Sequence, residues 1–245
     1  MVQPTKSTEV VALKTSTGDQ IYTLFGKATK PDRSPDPDSA SRPSLIYFYG
    51  NAMCLADTTE LCRDWRQLGA NVLAVEYPGY GMSSGKAGEA PFYAAAEAAY
   101  DYLAARPDID KTKIIPFGQS LGTGVAVELA TRRPVAGLAL FSAYTSMDDM
   151  ARLVLPIMPT WLILRHHFRN EQKIENLHCP ILIVHGNHDS IIPVEMSHRL
   201  AAAAKNARVT ELYVDSDHND VFEKAGKEAD EALAKLIEQV AESHQ

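Results

Sequence analysis

A chain of 245 residues, 45% hydrophobic and 22% charged, is long enough to bury one sizeable core without metal or disulfide staples. Its formal charge of −7, with no basic run of five or more, argues against nucleic acid as a partner. Three cysteines, Cys54, Cys62 and Cys179, make no disulfide framework or zinc pattern and read as small buried thiols.

The opening segment alternates Val10, Ala12, Lys14 and, past a Ser-Thr-Gly-Asp turn, Ile21, Thr23, Phe25, which predicts a β-hairpin over 8–29. Residues 30–43, rich in Pro, Asp and Ser, read as a surface loop. Short apolar runs then recur at 44–49, 71–77, 113–117, 135–142, 180–185 and 209–214. Several are apolar on both faces, as strands covered by helices on both sides must be. Helical stretches lie between and after them at about 57–68, 91–105, 120–132, 194–205 and 220–242. This alternation predicts a single α/β domain over 1–245: a doubly wound, mostly parallel sheet with antiparallel N-terminal edge strands.

Residues 143–177 break the rhythm. They are too long for one crossover helix and predict a small helical cap, two short helices bent at Pro156 and Pro159. Leu153, Val154, Leu155, Ile157, Met158, Trp161, Leu162 and Leu164 are too many apolar residues for a solvated insertion. They pack on the sheet, line an acyl pocket, or, with Arg152, Arg165 and Arg169 beside them, touch a membrane surface. The longest apolar stretch is too short to span a bilayer, and the N-terminus lacks the pattern of a secretory signal. A cytoplasmic protein without stable membrane insertion is therefore expected.

The sharpest chemical signal is Gly118-Gln119-Ser120-Leu121-Gly122, between an apolar strand and a helix. A G-x-S-x-G in that setting forms a nucleophile elbow, with Ser120 at the tip. A serine hydroxyl needs a base. His218, in Asp217-His218-Asn219-Asp220 after the last strand, stands where chain order places it. His185 ends a strand and reads as structural; His188 is a candidate pocket residue, while His166 and His167 fall in the cap and His178, His198 and His244 elsewhere. The orienting acid is best placed at Asp189, in the loop after the strand 180–185, with Asp148 and Asp149 as rivals. Asp215 and Asp217 read as shaping the His218 loop. Oxyanion donors are expected at the amides of Leu121 and of Asn51, the latter in Tyr49-Gly50-Asn51-Ala52. Tyr49, Gly50, His188 and Trp161 are the candidate substrate-binding residues. No metal or organic cofactor enters this chemistry.

YGNA at 49–52, EYPGYGMSSG at 76–85, GQSLG at 118–122, HGNHDSIIP at 185–193 and DHND at 217–220 occur in an order that resembles the α/β-hydrolase superfamily. Within it, the chain is similar to the compact serine hydrolases called Bem46-like, or alpha/beta hydrolase domain-containing 13- and 17-like. The resemblance spans roughly residues 44–222 and implies the Ser120–His218–Asp189 triad. It implies hydrolysis of carboxylic esters or thioesters, and less directly of amides, with a small-molecule ester as the expected partner. Two positions depart from the family pattern: Tyr49 stands where the family has His, and Pro78 where it often has Arg. Tyr49 can still donate a hydrogen bond, which implies a reshaped pocket rather than lost activity. A thioesterase or protein deacylase, a peptidase or amidase, and a non-catalytic binding protein of the same fold are the competing readings.

Overall fold

The computed structural model describes residues 8–156 and 164–243. Strands β1 (Thr8–Lys14) and β2 (Gln20–Gly26) form the antiparallel hairpin, closed by a turn in which Gly18 takes φ +88°. Next come β3 (Ser44–Phe48), α1 (Thr59–Gln67), β4 (Asn71–Val75) and α2 (Glu89–Ala104). β5 (Ile114–Gln119), α3 (Leu121–Arg132) and β6 (Leu138–Phe141) follow, then α4 (Met147–Val154) and α5 (Asn170–Ile174). The chain ends through β7 (Ile181–Gly186), α6 (Glu195–Ala203), β8 (Val209–Val214), α7 (Val221–Lys224) and α8 (Gly226–Glu242).

All eight strands share one sheet in the order β1-β2-β4-β3-β5-β6-β7-β8. β1 and β2 are antiparallel to their neighbours; the others run parallel. The chain steps one way from β3 to β4 and the other way from β4 through β5 to β8. Right-handed crossovers then place α1 on one face and α2, α3 and α6 on the other. β3, β4 and β7 are buried along their whole length because both faces are covered. On the α1 face, Trp65 packs at 4.7 Å from both Tyr47 and Phe117 and at 5.7 Å from Phe222. The order β4-β3-β5 creates a switch point, and ligands of such sheets bind in the crevice at the carboxyl ends of the strands there.

The predicted cap divides. Ala143, Tyr144 and Thr145 at its start, and Phe168, Asn170, Ile174 and Leu177 toward its end, belong to the buried core. α4 stops at Val154, before Pro156. Residues 157–163, with Pro159 and Trp161, lie outside the described residues. The predicted helix 220–242 is interrupted between α7 and α8 at Ala225. Among the described residues, no helix is long and apolar enough to cross a membrane.

Candidate active site

Ser120 sits between β5 and α3 at φ 50°, ψ −118°, a conformation that costs on the order of 1–3 kcal/mol and persists only where its surroundings enforce it. The enforcement is close packing. A Cβ on Gly118 would lie 2.5 Å from the Gly122 carbonyl oxygen, and one on Gly122 1.9 Å from that of Phe48. Both glycines therefore let α3 descend onto β3 and β5 directly below the serine. The Ser120 amide donates to the Phe141 carbonyl at 2.9 Å, and its own carbonyl accepts from the Thr123 amide and hydroxyl at 3.0 and 2.7 Å.

His218 follows β8, with Nε2 2.9 Å from Ser120 Oγ and Nδ1 2.7 Å from Asp189 Oδ2. Asp189 follows β7; its side chain has no exposure and that of His218 only 8%. Asp189 Oδ1 accepts from the Ile191 and Ile192 amides at 2.9 and 2.7 Å. Burial alone would raise the Asp189 pKa. Hydrogen bonds from His185, His218 and the Ile192 amide outweigh that and hold the carboxyl well below its ordinary range, so it is ionised. The two loops are tied together by Asp217, whose Oδ1 accepts from the Ser190 amide at 2.8 Å and the His218 amide at 2.6 Å. Asp148 and Asp149 are engaged elsewhere, with His167 at 2.8 Å and with Thr145 at 2.7 Å. Asp215 lies beside His188 at 3.0 Å.

The loop after β3 lies against the serine: a Cβ on Gly50 would sit 3.4 Å from that of Ser120. Among the described residues, the amides of Asn51 and Leu121 donate to no other group of the chain. The segment 76–81 holds this loop from three directions. Tyr77 donates to the Tyr49 carbonyl at 2.8 Å, Tyr80 donates to Asn51 Oδ1 at 2.8 Å, and Glu76 Oε1 accepts from the Leu55 amide at 2.8 Å.

Two expected substrate contacts are corrected here. Tyr49 is fully buried, and its hydroxyl donates to Glu76 at 2.5 Å. Burial and the Glu76 carboxylate push its pKa far up, so it remains a donor within the loop's foundation and does not face a substrate. His188 points to solvent, 72% exposed, beside Asp215. Its amide donates to the Ser216 carbonyl at 3.1 Å. Gly50 is buried beneath the serine, and Trp161 lies outside the described residues. His166, by contrast, comes to the cleft, where its Nδ1 accepts from the Glu89 amide at 3.2 Å.

Ser120 opens into a cleft of about 580 Å3 that Asn51 and Leu121 also line. Its walls are mostly apolar: Phe92 and Tyr144 from the sheet side, Met147, Met150 and Ala151 from α4, then Leu164, Phe168, Ile191 and Ile192. Met147, Met150 and Ala151 fall on one side of α4 because positions three and four apart share a helix face. For the apolar residues from Leu153 to Leu164 the sequence offers three readings: packing on the sheet, lining an acyl pocket, or touching a membrane surface. Leu153, Val154 and Leu155 stand 52%, 79% and 49% exposed at the C-terminal end of α4, so these three do not pack on the sheet, whereas Leu164 lines the cleft. Of the wall residues, Ile191 and Ile192 lie in a motif legible in the sequence; Phe92 and Tyr144 carry no signal that separates them from core. Cys62 is buried as expected, but Cys54 and Cys179 are half-exposed. A larger groove of about 710 Å3 between β8 and α8, lined by Glu228, Glu231 and Lys235 among others, contains no nucleophile-base pair. Among the described residues, no three His, Cys, Asp or Glu side chains are grouped to hold a metal.

Comparison with known proteins agrees with this fold. Residues 40–171 match the family model described as serine aminopeptidase, S33. An uncharacterised protein of Mycobacterium tuberculosis is 33% identical over 207 residues, covering 84% of this chain and 74% of that protein. The alpha/beta hydrolase domain-containing protein 17C of Mus musculus is 34% identical over 189 residues; the match covers 74% of this chain and 56% of that protein, so the chain spans about half of that relative's length. Among solved structures, an esterase of Pyrococcus furiosus superposes with a TM-score of 0.75 at 15% identity, covering 98% of this chain and 95% of that one. Acetyl xylan esterase 1 of a Thermoanaerobacterium species gives 0.71 at 15%, covering 96% and 86%.

Proposed function

The chain belongs to the α/β-hydrolase superfamily, and from that premise we propose that this hydrolase is a serine carboxylesterase acting on small to medium acyl groups. The observation that carries the reading is the unbroken hydrogen-bonded line from Ser120 Oγ through His218 to Asp189, opening on an apolar cleft.

In this reading, Ser120 Oγ attacks the ester carbonyl carbon while His218 Nε2 takes the hydroxyl proton. Asp189, ionised and buried, keeps the hydrogen on Nδ1 and stabilises the imidazolium. The carbonyl oxygen, now negative, accepts from the amides of Leu121 and Asn51. His218 returns its proton to the departing alkoxide, leaving an acyl group on Ser120. Water then attacks that ester, His218 taking its proton; the bond from the acyl carbon to Ser120 Oγ breaks, Oγ takes the proton back from His218, and the carboxylic acid leaves. Every step uses side chains and amides of this chain alone.

The cleft volume sits within the roughly 300–1,000 Å3 usual for small-molecule sites, and its apolar walls suit an acyl chain. Thioesters would follow the same steps. The family description favours a peptidase as the second reading. Against it, no carboxylate lines the cleft among the described residues, and 157–163 contains no Asp or Glu to pair with a free amino terminus.

Hydrolysis of p-nitrophenyl esters from acetate to palmitate, by wild type and Ser120→Ala, tests the proposal. Turnover by wild type with a chain-length optimum, and loss of about 10^6-fold in kcat in the variant, is expected. Equal rates from both proteins, or turnover of amino-acid anilides but not esters, overturn it.

A further inference from the structure

His185 is the penultimate residue of β7, fully buried and outside the Ser120 cleft. Its Nδ1 lies 2.6 Å from the hydroxyl of Ser197, itself fully buried on α6. Its Nε2 lies 2.9 Å from the Ile192 carbonyl oxygen and 3.0 Å from Asp189 Oδ2. Both groups facing Nε2 only accept, so the network places the ring hydrogen on Nε2 and leaves Nδ1 to accept from the Ser197 hydroxyl.

From this geometry we propose that His185, locked by Ser197, is a positioning residue that holds the Asp189 carboxylate in line with His218; the proposal rests on the triad reading above. A carboxylate offers about four lone-pair directions. Asp189 Oδ1 is taken by the Ile191 and Ile192 amides, and Oδ2 by His218 Nδ1 and by His185 Nε2, which lies 3.0 Å away and shares its one hydrogen with the Ile192 carbonyl. With all four filled, the carboxylate cannot rotate without breaking a bond in a dry environment. Removing His185 leaves Oδ2 held only by His218, the ring that the carboxylate has to orient. The same Nε2 bond to Ile192 pins the loop 187–192 back on the strand that launches it. The buried line thus runs from Ser197 through His185, Asp189 and His218 to Ser120.

A residue that merely fills space would affect stability in proportion to its burial and would leave chemistry per folded molecule alone. The test is ester hydrolysis by purified His185→Phe, His185→Gln and Ser197→Ala, each in the wild-type and Asp189→Asn backgrounds, with thermal midpoints measured in parallel. Partners that orient a catalytic ligand typically act by about 10- to 100-fold, and His185→Phe is expected to lower kcat by that range with KM within about twofold. His185→Gln, which restores an N–H donor, is expected to recover most of the loss, and Ser197→Ala to lose a few-fold. In the Asp189→Asn background, His185→Phe should cost less than about twofold more, because its partner is already disabled. An undiminished kcat in His185→Phe, the same fold loss in both backgrounds, or a glutamine no better than phenylalanine overturns the proposal. Should His185→Phe fail to fold, Ser197→Ala decides it, an unchanged kcat counting against. Ester turnover that survives Ser120→Ala would instead overturn the triad reading itself.

Discussion

Around Ser120, the side chains of His218, Asp189 and Asp217 are tied to one another or to loop amides by hydrogen bonds, whereas α4, above them, leaves Leu153 and Val154 exposed and has no fully buried residue. The first region is a set of loops leaving buried strands. Asp217 joins two of them, and the tyrosines of 76–81 clamp a third. The second contributes an apolar wall of methionines, a flexible residue type that fills irregular space. The proposed chemistry, which depends on tenths of an ångström, falls in the first region; the second supplies shape and is expected to tolerate substitution.

Substitutions can break or sharpen that contrast. After Ser120→Ala, the largest effect is expected from Asp189→Asn, a loss of about 10^4-fold in kcat with the fold retained, because the amide supports the wrong imidazole tautomer. The same variant has a pH signature. Asp189 titrates below its ordinary 3.8 in the folded chain, so its contribution to stability is fully present above that value. It is lost as pH falls through the lower folded value. Urea melts at pH 5 and pH 3 should show a larger drop for wild type than for Asp189→Asn.

Gly122→Ala comes next. With its Cβ 1.9 Å from a backbone oxygen it should cost about 4 kcal/mol or more, read as a collapsed urea midpoint or failure to fold. Tyr80→Phe removes one neutral hydrogen bond to Asn51, about 0.5–1.5 kcal/mol, and should lower kcat some 2- to 10-fold if that loop supplies an oxyanion donor. An unchanged kcat would detach the 76–81 clamp from catalysis. Leu153→Ser and Val154→Ser should shift stability by no more than about 0.5 kcal/mol, as exposed positions do. A larger shift in the thermal midpoint would show that the outer face of α4 is not the tolerant region described.

How much could be read in advance differs between the same two regions. Ser120, Asp189 and His218 were legible because each follows a strand, and a strand is visible as an apolar run bounded by turn residues. Tyr49 was misread for a related reason: the motif placed it beside the serine but could not say which way its ring pointed. Just past the end of β3 its ring turns inward, where Glu76 meets it. His188 lies one residue from the acid and faces the opposite way. Which of the cap's apolar residues are exposed, as Leu153 and Val154 are, and which line the cleft, as Leu164 does, is not separable in the sequence, because hydrophobicity signals burial only on average.

The sequence by itself determined the alternation of strands and helices, the nucleophile elbow and the chain order of serine, acid and histidine, since these depend on local patterning and on glycine at two crowded positions. Only the tertiary structure decided that His185 and Ser197 stand behind Asp189, and that Glu76, Tyr77 and Tyr80 grip the loop at 49–55. Apart from the contact of His185 with Asp189, four positions on, those contacts join residues 12 to 29 positions apart, and their partners are chosen by which strands and loops lie side by side.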